Sequence, residues 1–352
     1  MTENNTVRIT FFQKHKRSII SWTKYLLTSF VLAWIFRVLV AQSYTVATDS
    51  MNDALLQGDR VMVNKIKYGT RLPITVFSVP FTQTLYFDWL QLPVWRLPGF
   101  TKVKRYDIVA FNNPLETKKP IDKRSIFAKR IVGLPGDTIE INDKILYNNK
   151  LKAEIIGQTK SFYRMITSDT TLSQKLLNKF KIKEIYKVSG CGLYYLNISD
   201  KTASKLTKEK GVSQLTKFTS EKYAEHSTLY PKSKLFHWTA DYYGPLIVPE
   251  SGLTVKLNEE NLTLYRLIIE KYENNELEIK NGKVVLNGKE TNKYTFKDDY
   301  FFVLNDLRDN TNDSRSMGFI PSNHLIGQVS LVWYSSDKNN MPRWKKMFRF
   351  VQ

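Results

Sequence analysis

The stretch Ile19 to Ala41, IISWTKYLLTSFVLAWIFRVLVA, limits what this chain can become more than any other feature. It is about as long as the roughly 20 apolar residues that a bilayer-spanning helix needs. Lys24 and Arg37 lie near its two ends, where long cationic side chains can reach the headgroups. Arg8, Lys14, Lys16 and Arg17 precede it and favour a cytoplasmic N-terminus. A cleavable signal peptide is the competing reading, but no clear small-x-small cleavage site follows before Tyr44. A buried soluble helix is the other alternative. The reading adopted is a cytoplasmic N-terminus over 1–18 and an uncleaved, single-pass anchor over 19–41, with the rest of the chain exported.

The charge balance agrees with a membrane partner. The 352 residues include 53 Lys and Arg against 33 Asp and Glu, a formal charge of +20. Such a surplus favours an anionic lipid surface or nucleic acid, or it is simply a solvated lysine-rich surface. No basic run interleaved with stacking aromatics forms a nucleic-acid motif, so no nucleic-acid partner is expected. Cys191 is the only cysteine, which excludes an intramolecular disulfide and a Cys-based zinc site. His15, His226, His237 and His324 form no HExxH-type pair, and neither a metal nor a cofactor is expected.

Beyond the anchor, short strands and turns dominate. DRVMVNKIKYG alternates, with Val61 and Val63 on one face; YDIVAFNNP and SIFAKRIVGLPGD are compact apolar runs that end at Pro or Gly. The segment from Leu72 to Phe100 is rich in aromatics and prolines and too broken for a spanning helix. It reads either as proline-punctuated core strands or as an exposed aromatic surface at the membrane interface. NDKILYNNK (Asn142–Lys150) and NGKVVLNGK (Asn281–Lys289) read as hairpin twins. A helix is expected from about Asn258, with Leu262, Tyr265, Ile269 and Tyr272 on one face.

With no histidine or cysteine pattern for catalysis, Ser50 in YTVATDSMNDALLQGD is a candidate nucleophile. A serine hydroxyl needs a base, and a lysine can serve once burial keeps its amine neutral. Lys129 lies among Ile126, Phe127, Ala128, Ile131 and Val132, although a lysine in such a strand is often only a solvated edge residue.

Four segments occur in order: SMNDALLQGDRVMVNK, YDIVAFNNP, AKRIVGLPGD and NDLRDNTNDSRSMGFIP. Together they resemble the ordered boxes of the bacterial type I signal peptidases, Ser/Lys proteases that remove signal peptides from exported proteins. RLPITVFSVPF and WTADYYGPLIVP are similar to the same family. The resemblance implies a mainly β fold: a coiled β-sheet catalytic domain with an inserted α+β subdomain, preceded by one transmembrane helix. The expected divisions are a first catalytic part over 42–150, an insertion over 151–275 and a second catalytic part over 276–352. By the same resemblance Ser50 is the nucleophile and Lys129 the general base. Thr48 is implied to help bind the oxyanion and Thr311 to orient the lysine. Val46 and Ala128 are implied to form shallow pockets for small side chains. Arg130 with Asp306, and Asp313 with Arg315, are implied to be structural pairs. No cofactor is implied, and the partners are precursors bearing signal peptides. The implied location is the bacterial inner membrane, with the catalytic domain on the extracytoplasmic side.

The chain departs from the family's pattern near the nucleophile. Asp53 stands where proline is usual, Asp49 where glycine is, and Ala47 where proline is common; Asn305 and Leu307 replace Gly and Asn in the last box. A carboxylate at 49 that met Lys129 would favour the protonated amine, so its side chain is expected to point to solvent or to a backbone donor. These departures motivate an alternative, a weak or inactive membrane-tethered homologue that acts as a binding scaffold.

Overall fold

The computed structural model describes residues 3–351, except 52–53, 80–81, 83, 154–159, 169–173, 181, 183–184, 189–191, 223–227 and 338. Asp53, Cys191 and His226 lie outside the described residues. Helix α1 runs without a break over Glu3–Leu39. Its segment Ser18–Leu39 has a mean hydropathy of 1.5, and its most apolar window is not buried against the rest of the chain. It is long and apolar enough to cross a membrane. Such a helix satisfies its backbone groups internally, which is what hydrocarbon surroundings demand.

The main sheet is built from β1 (Ala41–Thr45), β2 (Asp59–Asn64), β3 (Ile108–Asn112), β4 (Ile126–Gly133), β5 (Tyr300–Leu304), β6 (Ile320–Pro321), β7 (Leu325–Ser335) and β8 (Arg349–Phe350). The order is β1-β2-β7-β3-β4-β5-β6, with β8 paired to β7. Its pairs are antiparallel. Alternation gives β3 two buried faces. Ile108 and Ala110 join a core with Met51, Leu55, Val61 and Val63, while Val109 and Phe111 join one with Ile131, Phe301 and Val303. The long strand β7 slips register twice against β2 and once against β3. Such irregularities bend and twist a sheet, and here they curl it so that β1 and β4 face one another. The crossing is tight: a Cβ on Gly327 would lie 2.2 Å from the Asn64 carbonyl oxygen.

A second sheet joins Thr138–Asn142, Ile145–Asn148, Leu151–Lys152 and Tyr243–Ile247. The hairpin twins adopt the expected form. Asp143–Lys144 and Asn281–Gly282 turn with positive φ at both positions, which suits the twist of two-residue hairpins. The expected helix covers Glu259–Leu267, capped by Asn258, whose side chain accepts from the Asn261 N–H. Tyr265 and Ile269 are buried in the largest core, and Leu262 and Tyr272 pack at its edge.

The insertion is narrower in its packing than the span 151–275. Its own core is formed by Tyr163, Met165, Tyr194, Leu196, Ile198, Ala203 and Leu206. The sheet around it joins Val212–Lys217, Lys160–Thr167, Leu193–Ser199 and Ile185–Lys187. Tyr243–Ile247 instead pairs with Thr138–Asn142, and Leu264, Tyr265 and Ile268 pack beside Phe302 and Phe319. The chain from Tyr243 onward is therefore part of the main body, because its apolar side chains are buried there.

The segment from Leu72 to Phe100 is not a set of core strands. It is a long excursion held by isolated bridges at Arg71–Arg96, Thr75–Gln91 and Ser78–Tyr86. Val76, Phe77, Leu85, Phe87, Trp89, Trp95 and Phe100 are exposed along it. So many exposed large apolar groups on one segment exceed what a water-facing surface usually carries.

Candidate active site

Ser50 sits in a short turn, Asp49–Met51, directly after β1. Met51 and Leu55 are buried in the core beneath, which pins the turn. Leu307 donates its N–H to the Ser50 carbonyl at 3.1 Å and ties the turn to the loop after β5. Asp49 Oδ1 accepts the Gln57 N–H at 3.2 Å, a backbone donor as the sequence suggested, and Asp49 is not among the charges that shift the Lys129 amine. Gln57 also donates its side-chain amide to the Ala47 carbonyl at 2.9 Å. This clasp closes the loop where proline would otherwise stiffen it.

Lys129 lies on β4 opposite Val109 and is buried. Its Nζ is 2.9 Å from Ser50 Oγ, and the Thr48 hydroxyl is 3.1 Å from the same Oγ. Residues separated by most of the sheet's first half thus share one buried spot. Burial pulls the Lys129 amine down from 10.5 to about 8, with Asp313 and Asp306 opposing the shift and Arg315 adding to it. The opposing pull is limited because both carboxylates are already paired. Arg130 grips Asp306 through two bonds of 2.7 and 2.9 Å. Arg315 grips Asp313 at 3.0 and 2.8 Å. Both pairs are buried, and each bidentate fork neutralises one carboxylate near the amine.

The third partner of Lys129 is Asn305, whose Oδ1 accepts from Nζ at 2.6 Å. Asn305 is fully buried, and its side chain and N–H are engaged. Its N–H donates to Asp313 Oδ2 at 3.0 Å, and its Nδ2 donates to the Asn310 carbonyl at 2.7 Å. Thr311, expected to orient the lysine, makes no hydrogen bond to it among the described residues. An amide where the family carries glycine reaches the amine first. The sequence marked residue 305 as a departure but gave no sign that it touched the base; its place at the end of β5, paired to β4 through Leu304–Arg130, is the signal that could have done so.

An apolar cavity of about 80 Å³ opens beside Ser50 and Lys129. Val46, Val61, Val63, Ala110, Ala128 and Val329 line it. Val46 directly follows β1, and Ala128 lies on β4. β1 pairs only with β2, and Ile126–Lys129 pair only with β3 among the described residues. Both strands therefore present one unpaired backbone edge to the cavity. Among the described residues, no group of three or more His, Cys, Asp or Glu side chains could hold a metal ion.

The family model described as signal peptidase, peptidase S26, matches residues 19–219 and 250–334. A signal peptidase I of Rickettsia bellii is 23% identical over 323 residues, covering 92% of this chain and 75% of that protein. One from Buchnera aphidicola subsp. Baizongia pistaciae is 23% identical over 304 residues, with coverages of 86% and 73%. The crystal structure of a signal peptidase I from Enterococcus faecalis V583 covers 65% of this chain and 98% of its own, at 17% identity and a TM-score of 0.22. On the family match, which includes both Ser50 and Lys129, the chain belongs to the signal peptidase family, peptidase S26, as a serine peptidase of the bacterial type I kind.

Proposed function

We propose that this signal peptidase is membrane-bound and cuts by a Ser50–Lys129 dyad through an acyl-enzyme. The 2.9 Å approach of Lys129 Nζ to Ser50 Oγ in a buried site carries the proposal. The neutral amine accepts the Ser50 proton as Oγ attacks the scissile carbonyl. The oxyanion is received by the Ser50 N–H and the Thr48 hydroxyl. The protonated Lys129 then donates to the departing amine, and the mature protein leaves. Water, deprotonated by Lys129, attacks the ester, and the protonated lysine returns the hydrogen to the departing Ser50 Oγ. Asn305 holds the amine through one N–H, so that its lone pair stays on Ser50. The Arg130–Asp306 and Arg315–Asp313 pairs fix the strands around it.

The substrate segment adds as a strand between the free edges of β1 and β4. Small side chains at the first and third positions before the cut fit the shallow cavity at Val46 and Ala128. Helix α1 spans the membrane with the basic N-terminus on the cytoplasmic side, and the exposed aromatic excursion of residues 76–100 rests in the outer interface. The intact pairing of Ser50 and Lys129, with Asp49 bonded to the Gln57 N–H, favours this reading over an inactive scaffold.

A peptide phosphonate ending in alanine, with alanine also at the third position, tests the nucleophile. Peptide mapping is expected to find it on Ser50 in the wild type, with labelling at least about a hundredfold slower in Lys129→Ala. Labelling elsewhere, or at an unchanged rate, would contradict the dyad.

A further inference from the structure

A second cavity, of about 180 Å³, lies where the last turn of α1 meets the sheet. Four cationic side chains line it, Arg37, Lys65, Arg71 and Lys123, against one carboxylate, Asp122. That carboxylate is already engaged: the Thr75 N–H and hydroxyl donate to it at 3.1 and 2.8 Å. Lys65 answers the negative end of the helix. It donates to the carbonyls of Arg37 and Val38 at 2.9 and 3.3 Å and to Gln42 Oε1 at 2.9 Å. Arg71 spends two of its five donors on neutral groups, the Asn323 carbonyl at 2.7 Å and Asn112 Oδ1 at 2.6 Å. The lining thus carries more cationic than anionic side chains. Burial pulls Lys65 down to about 8, and Arg71 and Arg37 push in the same direction. An anion placed among these groups would relieve that repulsion.

Trp34, Leu72, Pro73, Val76 and Val79 add apolar groups to a wall that also carries Thr75, Ser78 and Thr82. The lining thus combines cationic, hydroxyl and apolar groups. It also sits at the end of the candidate span, Ser18–Leu39, where the outer headgroups would lie. A free anion would have no use for the apolar groups. The cavity adjoins the one beside Ser50 through Tyr44 and Ile126.

We propose that this cavity binds one anionic phospholipid of the outer leaflet, its phosphate between Arg71, Lys123 and Arg37 and its glycerol end against Leu72, Val76 and Val79. A bound lipid would brace the helix against β1, whose continuation carries Ser50. The inference rests on the membrane-anchored reading above but not on the Ser50–Lys129 chemistry, so its test reads binding and not cleavage.

The full chain is placed in nanodiscs of equal phosphatidylglycerol and phosphatidylcholine, and native mass spectrometry measures the lipid retained. The wild type is expected to retain phosphatidylglycerol over phosphatidylcholine, and each of Arg71→Gln and Lys123→Gln to lower that preference about fivefold. Arg71 braces the fold through its two bonds. Lys123 is partly buried, with its ammonium 5.7 Å from the centre of the Tyr86 ring, so its variant separates binding from misfolding. Lys205→Gln with Lys208→Gln, on the exposed insertion, is expected to change nothing. An equal loss in that control would mean diffuse attraction by a basic protein and would overturn the site. Displacement by millimolar inorganic phosphate would make it a free-anion site, and displacement by a signal-peptide segment would make it a substrate subsite; either overturns the lipid. A wild-type chain that does not stay in nanodiscs overturns the anchor itself.

Discussion

The role proposed for Lys129 rests on a balance of opposing effects at one nitrogen. Burial disfavours its charge; Asp306 and Asp313 favour it; the two arginines blunt the carboxylates. The balance leaves the amine near 8, so the neutral form that acts as a base grows as pH rises through that value. The rate kcat/KM on a precursor is therefore expected to climb on a limb centred near pH 8 and level off above it. Asn305→Asp would set a carboxylate in place of the amide oxygen now at 2.6 Å, hold the proton on Lys129, and move that limb to higher pH by at least about one unit. Asn305→Gly, the residue usual in the family, would free one amine N–H and is expected to lower kcat about tenfold with little change in KM. A limb that stays in place in Asn305→Asp would show that the amide does not govern the base. That Ser50 and Lys129 would meet was legible in the sequence, because their boxes keep order and spacing. Asn305 and Thr311 were not, since spacing tells which loop approaches the base but not which side chain of that loop reaches it. Asp49 was legible as a hazard, and a backbone donor eight residues on removes it.

At the scale of the elements, β1 and β4 make the cleft because the bulged strand β7 curls the sheet that connects them. Alternation along DRVMVN and the compact apolar run IVAFN were readable before the structure; the curl was not, because bulges arise from pairing and leave little trace in one strand's sequence. The cavity of about 80 Å³ predicts how the cleft selects. Ala128→Trp would fill it, and kcat/KM on a precursor with alanine at both small positions is expected to fall at least about a hundredfold, while the melting temperature stays within a few degrees because residue 128 is only partly buried. A precursor cut as well by the variant would place the small residues elsewhere. The insertion was expected over 151–275. The run from Tyr243 to Ile269 reads much like its neighbours, and its pairing with Thr138–Asn142 and burial beside Phe302 and Phe319 tie it to the main body.

For the whole molecule, the orientation proposed above holds the cleft at the membrane surface, and the apolar helix, the positive charge and the exposed aromatic excursion are what support it. The sequence announced the helix through its length and the excursion through its composition. It left open whether the aromatics were core or surface, since tryptophan and proline suit both. If the excursion rests in the interface, a chain lacking residues 1–39 should still bind lipid vesicles in a flotation assay, and Phe87→Glu with Trp89→Glu and Trp95→Glu should weaken that binding at least about tenfold. Unchanged flotation would detach the excursion from the membrane. The central claim, that Ser50 and Lys129 together cut the precursor, is tested most directly by the precursor itself. The purified full chain in lipid, its Ser50→Ala form and its Lys129→Ala form are each incubated with a precursor bearing a signal peptide, and the mature product is timed. The account predicts a single cut at the end of the signal peptide by the wild type and a loss of at least about a thousandfold in each variant. A wild type as inert as its variants, or variants that cut as fast as the wild type, would contradict it.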